Sequence, residues 1–381
     1  MSHLTFAPPP PAPEAEALRA EVRAFLAAEL PPVSAPDRLR LGGRDPAFSR
    51  KVAARGWIGM TWPKRYGGRE RSALERYVVQ EEMLAAGAPV AAHWVADRQS
   101  GPNILRNGSE AQKSFFLPRI AAGECSFCIG MSEPDSGSDL AAARTRAAPV
   151  QGGFLVNGRK IWTSNAHCAD YMILFCRTGE KSEDRHAAAS QFIVDLRTPG
   201  ITVRPIIDLA GLHHFNEVLF EDVFLPEESL LGGLGNGWRQ VSGELAFERS
   251  GPERFLSSFR LMVELTAALG PEPSERAAMA LGRLVAQVMT LRRLSRSVAG
   301  MLQAGREPAV EAALVKDLGT SFEQEVVEIA RTLIEDEPAP GSADALAAVL
   351  AHLVQHAPSF SIRGGTREIL RGIIARGLGL R

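Results

Sequence analysis

The strongest constraint on this chain is the order of its residue patterns: helical, then β, then helical again, with no internal repeat. In the first third, Glu14–Leu30, Ala73–Ala86 and Glu110–Ala121 carry apolar residues at helical spacing. Ser109 with Gln112 three residues on reads as a start signal for the last of them. Arg55–Gly68, marked by Pro63 and Gly67-Gly68, reads as a loop. The texture changes near Gly123. Phe154–Trp162 alternates around Asn157-Gly158, which predicts a hairpin. Tyr171–Arg177, Gln191–Leu196, Ile201–Ile207 and Glu217–Phe224 follow as short strands, at a spacing that suggests a small barrel or sandwich. Helical periodicity returns over Trp238–Glu248, Phe255–Leu269, Ser274–Ala304, Pro308–Ile334, Ala343–Gln355 and Thr366–Gly377, with Glu335–Gly341 as a proline-rich connection.

The expected fold class is therefore α+β and multi-domain. It comprises an N-terminal helical domain (1–122), a central small β barrel (123–231) and a C-terminal helical bundle (232–381). A Rossmann sheet needs strands and helices in alternation and is excluded. Gly233-Leu234-Gly235-Asn236-Gly237 lacks the spacing of a dinucleotide loop and reads as the turn that opens a helix.

A formal charge of -1 gives no reason to expect nucleic acid or an anionic membrane as partner. No apolar run approaches a membrane span, and Met1–Pro13 lacks the blocks of a signal peptide, so the reading is cytoplasmic. Ala7–Pro13 reads as a proline-rich lead-in that need not fold. Cys125 and Cys128 form a C-x-x-C without a second one, and Cys168 and Cys176 lie in another segment. Buried strand cysteines are expected rather than a metal or redox pair. His352 and His356 lack the intervening glutamate of a zinc helix and read as a solvated or core pair, so no metal is expected. Arg283, Arg292, Arg293 and Arg296 read as a solvated or subunit-contact helix face.

Two segments carry chemistry. Met131-Ser132-Glu133-Pro134-Asp135-Ser136-Gly137-Ser138-Asp139 crowds small hydroxyls and glycine into a turn. Trp162-Thr163-Ser164 places an indole and two hydroxyls at a strand end. A flat ring with a hydrogen-bonding edge and a phosphate tail needs both kinds of group, which points to a bound flavin and acyl-thioester chemistry. Taken alone, Trp162 would read as an aromatic plugging the barrel. Glu133, Asp135 and Asp139 lack the distal bidentate glutamate of a calcium loop.

With Asn157-Gly158-Arg159-Lys160-Ile161 before Trp162, Phe215-Asn216-Glu217-Val218, and Gly364-Gly365-Thr366-Arg367-Glu368-Ile369-Leu370-Arg371, these segments resemble the acyl-CoA dehydrogenase family. The resemblance covers nearly the whole chain. It is strongest to bacterial members used on bulky or branched acyl-CoAs. It implies FAD as cofactor, an acyl-CoA substrate and an electron-transfer flavoprotein as electron acceptor. It also implies a homodimer, a homotetramer, or a heterotetramer with a related subunit. The flavin contacts it implies are Ile129, Met131, Ser132, Gly137, Ser138, Trp162, Thr163, Ser164, Thr366 and Glu368. Trp162 would pack on the ring and exclude water, and Ser164 would donate near the atom that accepts hydride. Ser138, Arg249, Gly364 and Gly365 would meet the substrate.

Two departures from the family pattern matter. Many members carry the catalytic base just before the Gly-Thr of the C-terminal motif, where this chain has Gly364. Another branch carries it on the first long helix after the barrel, immediately before an arginine. The matching residue is Glu248, before Arg249, with Glu244 one turn earlier in reserve. For an arbitrary Glu-Arg pair an exposed ion pair would be the better reading. The missing carboxylate at Gly364 reverses that, and leaves the Gly364 N–H as donor to the thioester oxygen. The second departure is the absence of the Arg-x-x-Phe-Gly segment that usually reaches the flavin diphosphate of a neighbouring subunit. Either Arg254 or Arg260 takes its place, or a different subunit supplies the cation. His213-His214 read as a turn, and Asp97-Arg98-Gln99 as a loop near the acyl chain. Two other readings keep the fold: an oxygen-using relative (an acyl-CoA oxidase or flavin monooxygenase), and a non-catalytic subunit of a heteromer.

Overall fold

In a computed structural model, the described residues are 4–10, 13–30, 43–179, 186–334, 342 and 344–380, with residues 244–248 described by their backbone alone. The expected connection Glu335–Gly341 lies outside them. The first helices are α1 (Pro13–Glu29), α2 (Pro46–Ala54), α3 (Ala73–Ala85), α4 (Ala91–Val95), α5 (Gly101–Asn107) and α6 (Glu110–Ala121). The strands are β1 (Phe127–Gly130), β2 (Arg146–Val150), β3 (Gly153–Ser164), β4 (Tyr171–Arg177), β5 (Ala189–Asp195), β6 (Ile201–Ile207), β7 (His213–Pro226) and β8 (Leu230–Leu231). Helices resume with α7 (Gly237–Glu248), α8 (Phe259–Leu269), α9 (Glu275–Gln303), α10 (Ala309–Leu333), α11 (Ala345–Phe360) and α12 (Arg367–Gly377). Contacts divide the chain into two compact units. One is helical (Met1–Arg44, Arg71–Val90 and Ala246–Arg381), and the other holds the sheet (Asp45–Glu70 and Ala91–Leu245).

In the helical unit, Leu261, Leu265, Leu284, Leu291, Phe322, Val326, Leu350 and Leu353 form one apolar core drawn from α8, α9, α10 and α11. Their helical spacing is what made these segments legible. Ser72 and Glu75 close a capping box on α3, and Thr366 caps α12. The arginine face on α9 is not simply solvated. Arg292 grips the buried Glu81 of α3 through two bonds of 2.7 and 3.0 Å, and Arg19 of α1 reaches the same carboxylate at 2.8 Å. A long arginine on an otherwise polar helix face gives no sign in sequence of a carboxylate some two hundred residues away. The proline-rich lead-in is also anchored: Phe6 packs beside Val298, Ala312 and Val315, and Arg296 donates to the Pro9 carbonyl at 3.2 Å. His352 and His356 stack at 4.1 Å. Among the described residues no group of three or more His, Cys, Asp or Glu could hold a metal, and no helix is long and apolar enough to cross a membrane.

In the sheet unit, the described strands form one eight-stranded sheet in the order β6-β7-β3-β2-β4-β5-β8, with β1 parallel to β4. Asn157-Gly158 is not a hairpin turn. It lies inside the single strand β3 as a register irregularity opposite β7, where Asn157 exchanges hydrogen bonds with Asp222. The chain turns earlier, at Gly152 (φ +79°), between the paired β2 and β3. The extra residue there belongs to β7, which takes three steps from Val223 to Phe220 against two from Val156 to Gly158, so the Asn-Gly pair lies opposite a bulge and the chain does not turn. The segment expected as a loop at Asp97 is helical: α4 runs through one π turn, Ala96–Ser100, into α5. There Asp97 accepts from the Gly59 amide at 2.7 Å, and buried His93 meets Ser49 Oγ at 2.8 Å. Burial pulls His93 down to about 4 against the opposing charge of Asp97, so it is neutral at physiological pH. Cys125, Cys128 and Cys176 are buried and free, and burial pushes Cys125 and Cys176 up to about 12, which leaves them as apolar packing groups.

Burial raises the pKa of Glu81, but Arg292 and Arg19 outweigh it and hold the carboxyl below the ordinary value of 4.5. A depressed carboxyl contributes stability above its unfolded pKa and loses it as pH falls through the folded one. Glu81→Gln is expected to cost about 3 kcal/mol at pH 7, the lower end for a broken buried pair, since Arg292 loses this counter-charge while Arg19 keeps Glu16 and Glu82. Thermal melts should show that penalty shrinking below the ordinary carboxylate pKa; a penalty constant with pH would show the ion pairs to be immaterial.

Candidate active site

The sheet unit arranges its candidate residues around a buried charge. Along β3, side chains at Phe154, Val156 and Lys160 point inward in strict alternation, and Lys160 is 0% exposed. Its ammonium donates to Glu133 Oε1 at 2.8 Å and to the Met131 carbonyl at 2.9 Å. Glu133, also buried, accepts further from the Arg144 amide at 2.6 Å and the Thr145 amide at 2.9 Å. Burial raises the Glu133 pKa, and Lys160 with these amide donors brings it below the usual carboxylate value, so Glu133 faces Lys160 as a carboxylate. The Met131–Asp139 segment is thereby folded back on itself: Glu133 and Ser136 exchange backbone bonds of 2.8 and 3.1 Å, and Ser136 Oγ donates to the Asp139 carbonyl. The Ile161 amide donates to the Ser132 carbonyl at 2.9 Å, which sets the turn beside β3. Gly130 is needed here for close approach, since a β-carbon would lie 2.5 Å from Met172 Sδ and 3.3 Å from Lys160 Cγ.

Just beyond Lys160 the strand breaks its alternation. The β3–β7 register shifts between Lys160 and Thr163, and Trp162 adopts φ +58°. Positive φ is unusual for a bulky residue and is found where neighbouring structure enforces it. The shift turns Trp162 outward, to 57% exposure, so it does not plug the sheet's core. Phe215 meets it edge-on, with ring centres 5.8 Å apart. Thr163 is buried, and its hydroxyl has no partner among the described residues. Ser164 pairs with Phe215 across the strands. Ile129 lies on β1 and Met131 packs beside Ala143, Phe175 and Val241. Gly137 and Ser138 are exposed at the turn, and a β-carbon at Gly137 would meet nothing within 4 Å.

The helical unit gathers a second set. Arg249, 7% exposed and one residue past α7, donates from Nε to the Gly364 carbonyl at 3.1 Å. Gly364 and Gly365 take φ +66° and +99°, and the Arg249 guanidinium lies 3.2 Å from where a β-carbon on Gly365 would sit. Any side chain at either position is strained. Thr366 caps α12 through its side chain, and Glu368 is exposed in the first turn. Glu248 is the last residue of α7; its side chain and that of Glu244 lie outside the described residues. Neither candidate for the missing diphosphate contact is a free surface cation: Arg254 is buried beside Glu253, at 3.9 Å, and Arg260 is bound to Glu264. Charge in the sequence does not show which carboxylates lie alongside.

An outward indole, an unpartnered buried hydroxyl and an open, small-residue turn on adjoining strands fit the ring and polar edge of a flavin. The fold and these groups define a flavin-dependent oxidoreductase with helical N- and C-terminal domains and a sheet domain between them in the sequence. Family models for the acyl-CoA dehydrogenase N-terminal, middle and C-terminal domains match residues 12–124, 128–223 and 235–379, and the chain belongs to that FAD-dependent family. It is 32% identical over 375 residues to acyl-CoA dehydrogenase FadE29 of Mycobacterium tuberculosis, which covers 95% of this chain and 96% of that one. It is 33% identical over 340 residues to FadE34 of the same organism, covering 87% of this chain; the chain spans about half of FadE34, 46% of its length. Among solved structures, a steroid acyl-CoA dehydrogenase (Tcur3481-Tcur3483) is similar with a TM-score of 0.87 and 28% identity, covering 97% of this chain and 98% of that one. The ChsE4-ChsE5 complex from Mycobacterium tuberculosis is similar with a TM-score of 0.84 and 29% identity, covering 98% and 99%.

Lys160 and Asn216 are the structural residues that sequence reasoning passed over. The one signal for Lys160 was its place: a charge in the inward phase of an alternating strand, with an acid in the preceding motif. Because Glu133 keeps two amide donors when Lys160 is lost, Lys160→Met should cost about 1.5–3 kcal/mol. Glu133→Gln strands a buried ammonium and should cost more, about 3–5 kcal/mol. Urea unfolding of the flavin-free protein measures both, and the reverse order would reject the account.

Proposed function

We propose that this protein is an acyl-CoA dehydrogenase that introduces an α,β double bond into a bulky acyl-CoA, with Glu248 as its base. Glu248 takes the proton from the carbon next to the thioester, the carbon–carbon double bond forms, and hydride leaves the neighbouring carbon. Bound FAD supplies the acceptor for that hydride. The Gly364 N–H donates to the thioester oxygen and stabilises the charge that builds there as the proton departs. Ser138 orients the acyl-CoA beside the flavin, Trp162 keeps water from the hydride path, and Ser164 donates to the ring edge. Ile129, Met131, Ser132, Gly137, Thr163, Thr366 and Glu368 complete the flavin contacts.

The observation that carries the choice of base is the backbone at Gly364. At φ +66°, with its carbonyl bonded to Arg249, this position disfavours a side chain, so a carboxylate there would be strained. An oxyanion donor needs no side chain. The adjacent Arg249 ties the end of α7 to the Gly364 loop, so the proposed base and donor are coupled through one hydrogen bond.

The substrate class is drawn from relatives, since one similar structure is that of a steroid acyl-CoA dehydrogenase. We infer a ring-bearing or branched acyl group for this chain too. Two similar structures, Tcur3481-Tcur3483 and the ChsE4-ChsE5 complex, are each named for two proteins. With Arg254 and Arg260 both engaged by carboxylates, a related subunit is the favoured source of the missing diphosphate cation. An electron-transfer flavoprotein is the proposed electron acceptor.

Glu248→Gln should retain flavin while its bleaching by a ring-bearing acyl-CoA falls at least about 10²-fold, the usual scale of a lost general base. Undiminished bleaching would reject Glu248. Purified alone, the chain should hold FAD poorly and gain it when a related subunit is co-expressed; full occupancy alone would make it self-sufficient. Straight-chain substrates outpacing ring-bearing ones would overturn the substrate class, and stoichiometric peroxide in air would favour an oxidase.

A further inference from the structure

We propose that Asn216 is a positioning residue: its amide clamps the Thr163 carbonyl and so holds Trp162 outward, while His213 fixes which way that amide points. This rests on reading Trp162–Ser164 as facing the flavin. Asn216 is 0% exposed on β7 and lies opposite Thr163 in the strand register. Its Nδ2 donates to the Thr163 carbonyl at 3.0 Å, and its Oδ1 lies 2.7 Å from His213 Nε2. An amide has one donating and one accepting end, so with Nδ2 committed to a carbonyl, Oδ1 must accept. His213 Nε2 therefore carries a hydrogen. The imidazole is itself steadied by His167, stacked on it at 3.8 Å.

The clamp sits where the β3–β7 register slips, between Lys160 and Thr163. In the unbroken alternation of β3, Trp162 would share the inward face of Phe154, Val156 and Lys160. Its outward turn depends on φ +58° at Trp162, and a second positive φ, +58° at Asn165, follows just beyond Ser164. Strained backbone of this kind persists only where neighbouring bonds over-determine it. The Asn216 amide and the Asn165 amide bond to the His214 carbonyl, 2.9 Å, bracket the Thr163-Ser164 step from both sides. Phe215, between His214 and Asn216, is the ring that meets Trp162 edge-on. Three consecutive residues of β7 thus address the same short turn of β3.

Asn216→Leu keeps the volume and removes both bonds. Two readouts are taken, quenching on the flavin-free protein, where no ring covers the indole, and bleaching on the flavin-loaded protein. The first is acrylamide quenching of Trp162, obtained by difference from the same protein carrying Trp162→Phe. The second is the rate at which acyl-CoA bleaches the flavin. Asn216→Leu should reduce the quenching of Trp162 and slow bleaching by about 10²-fold, the scale of a misplacement of about 1 Å. Exposed His213 offers a gentler test should Asn216→Leu fold poorly. His213→Phe should slow bleaching, and His213→Gln, which still donates, should recover most of the loss. Unchanged quenching in Asn216→Leu and His213→Phe, or His213→Gln behaving like His213→Phe, would overturn the clamp. Altered quenching with unaltered bleaching would leave the clamp standing and count against Trp162 as a flavin contact.

Discussion

The Lys160–Glu133 pair is the interaction on which the candidate residues of the sheet unit depend. A lysine with 0% exposure is tolerable only when its charge is matched and its donors are used. Glu133 and the Met131 carbonyl meet both needs at once. Because the lysine belongs to β3 and both acceptors to the Met131–Asp139 turn, satisfying one charge fixes the turn against the strand. The Glu133 carboxylate then uses its remaining capacity on the Arg144 and Thr145 amides, which ties the turn to the chain leading into β2. What looked in sequence like a run of hydroxyls and acids is a closed loop with a buried counter-ion.

The same strand then changes function within three residues. Up to Lys160 it obeys the alternation that buries one face of a sheet. From there a register shift and one positive φ turn an indole outward and leave a threonine hydroxyl buried without a partner among the described residues. Both are unfavourable in a protein judged on stability alone, and both become intelligible if a ring binds against them. In the helical unit the strained backbone lies at Gly364-Gly365, where two positive φ angles and the Arg249 bond to the Gly364 carbonyl disfavour any side chain.

Much of the fold was legible because long helices and short alternating strands repeat a signal many times. The periodicity of α9, α10 and β4 predicts them nearly to their ends. The short helices α2, α4 and α5 were not predicted, since a turn or two of helix offers too few repeats to separate from a loop. Asn157-Gly158 shows a local signal overruled: a residue pair suited to a hairpin runs on through a strand because β7, some sixty residues on, pairs with both sides of it and carries the bulge itself. The arginines of α9 and the lead-in at Pro9 fail for a related reason. Their partners, Glu81 and Arg296, are distant in the chain, and sequence carries charges without showing which of them meet.

By itself the sequence determined the helical–β–helical order, the absence of a Rossmann sheet, and a flavin-type motif set resembling the acyl-CoA dehydrogenases. These rest on residue type and spacing, which are properties of the chain. Tertiary structure decided that Trp162 turns outward at positive φ, that Lys160 is buried on Glu133, that Asn216 holds the Thr163 carbonyl, and that Arg249 bonds the Gly364 loop. Each depends on which distant groups are brought to hydrogen-bonding distance. That is fixed by how the strands register and the helices pack, and no local pattern of residues encodes it.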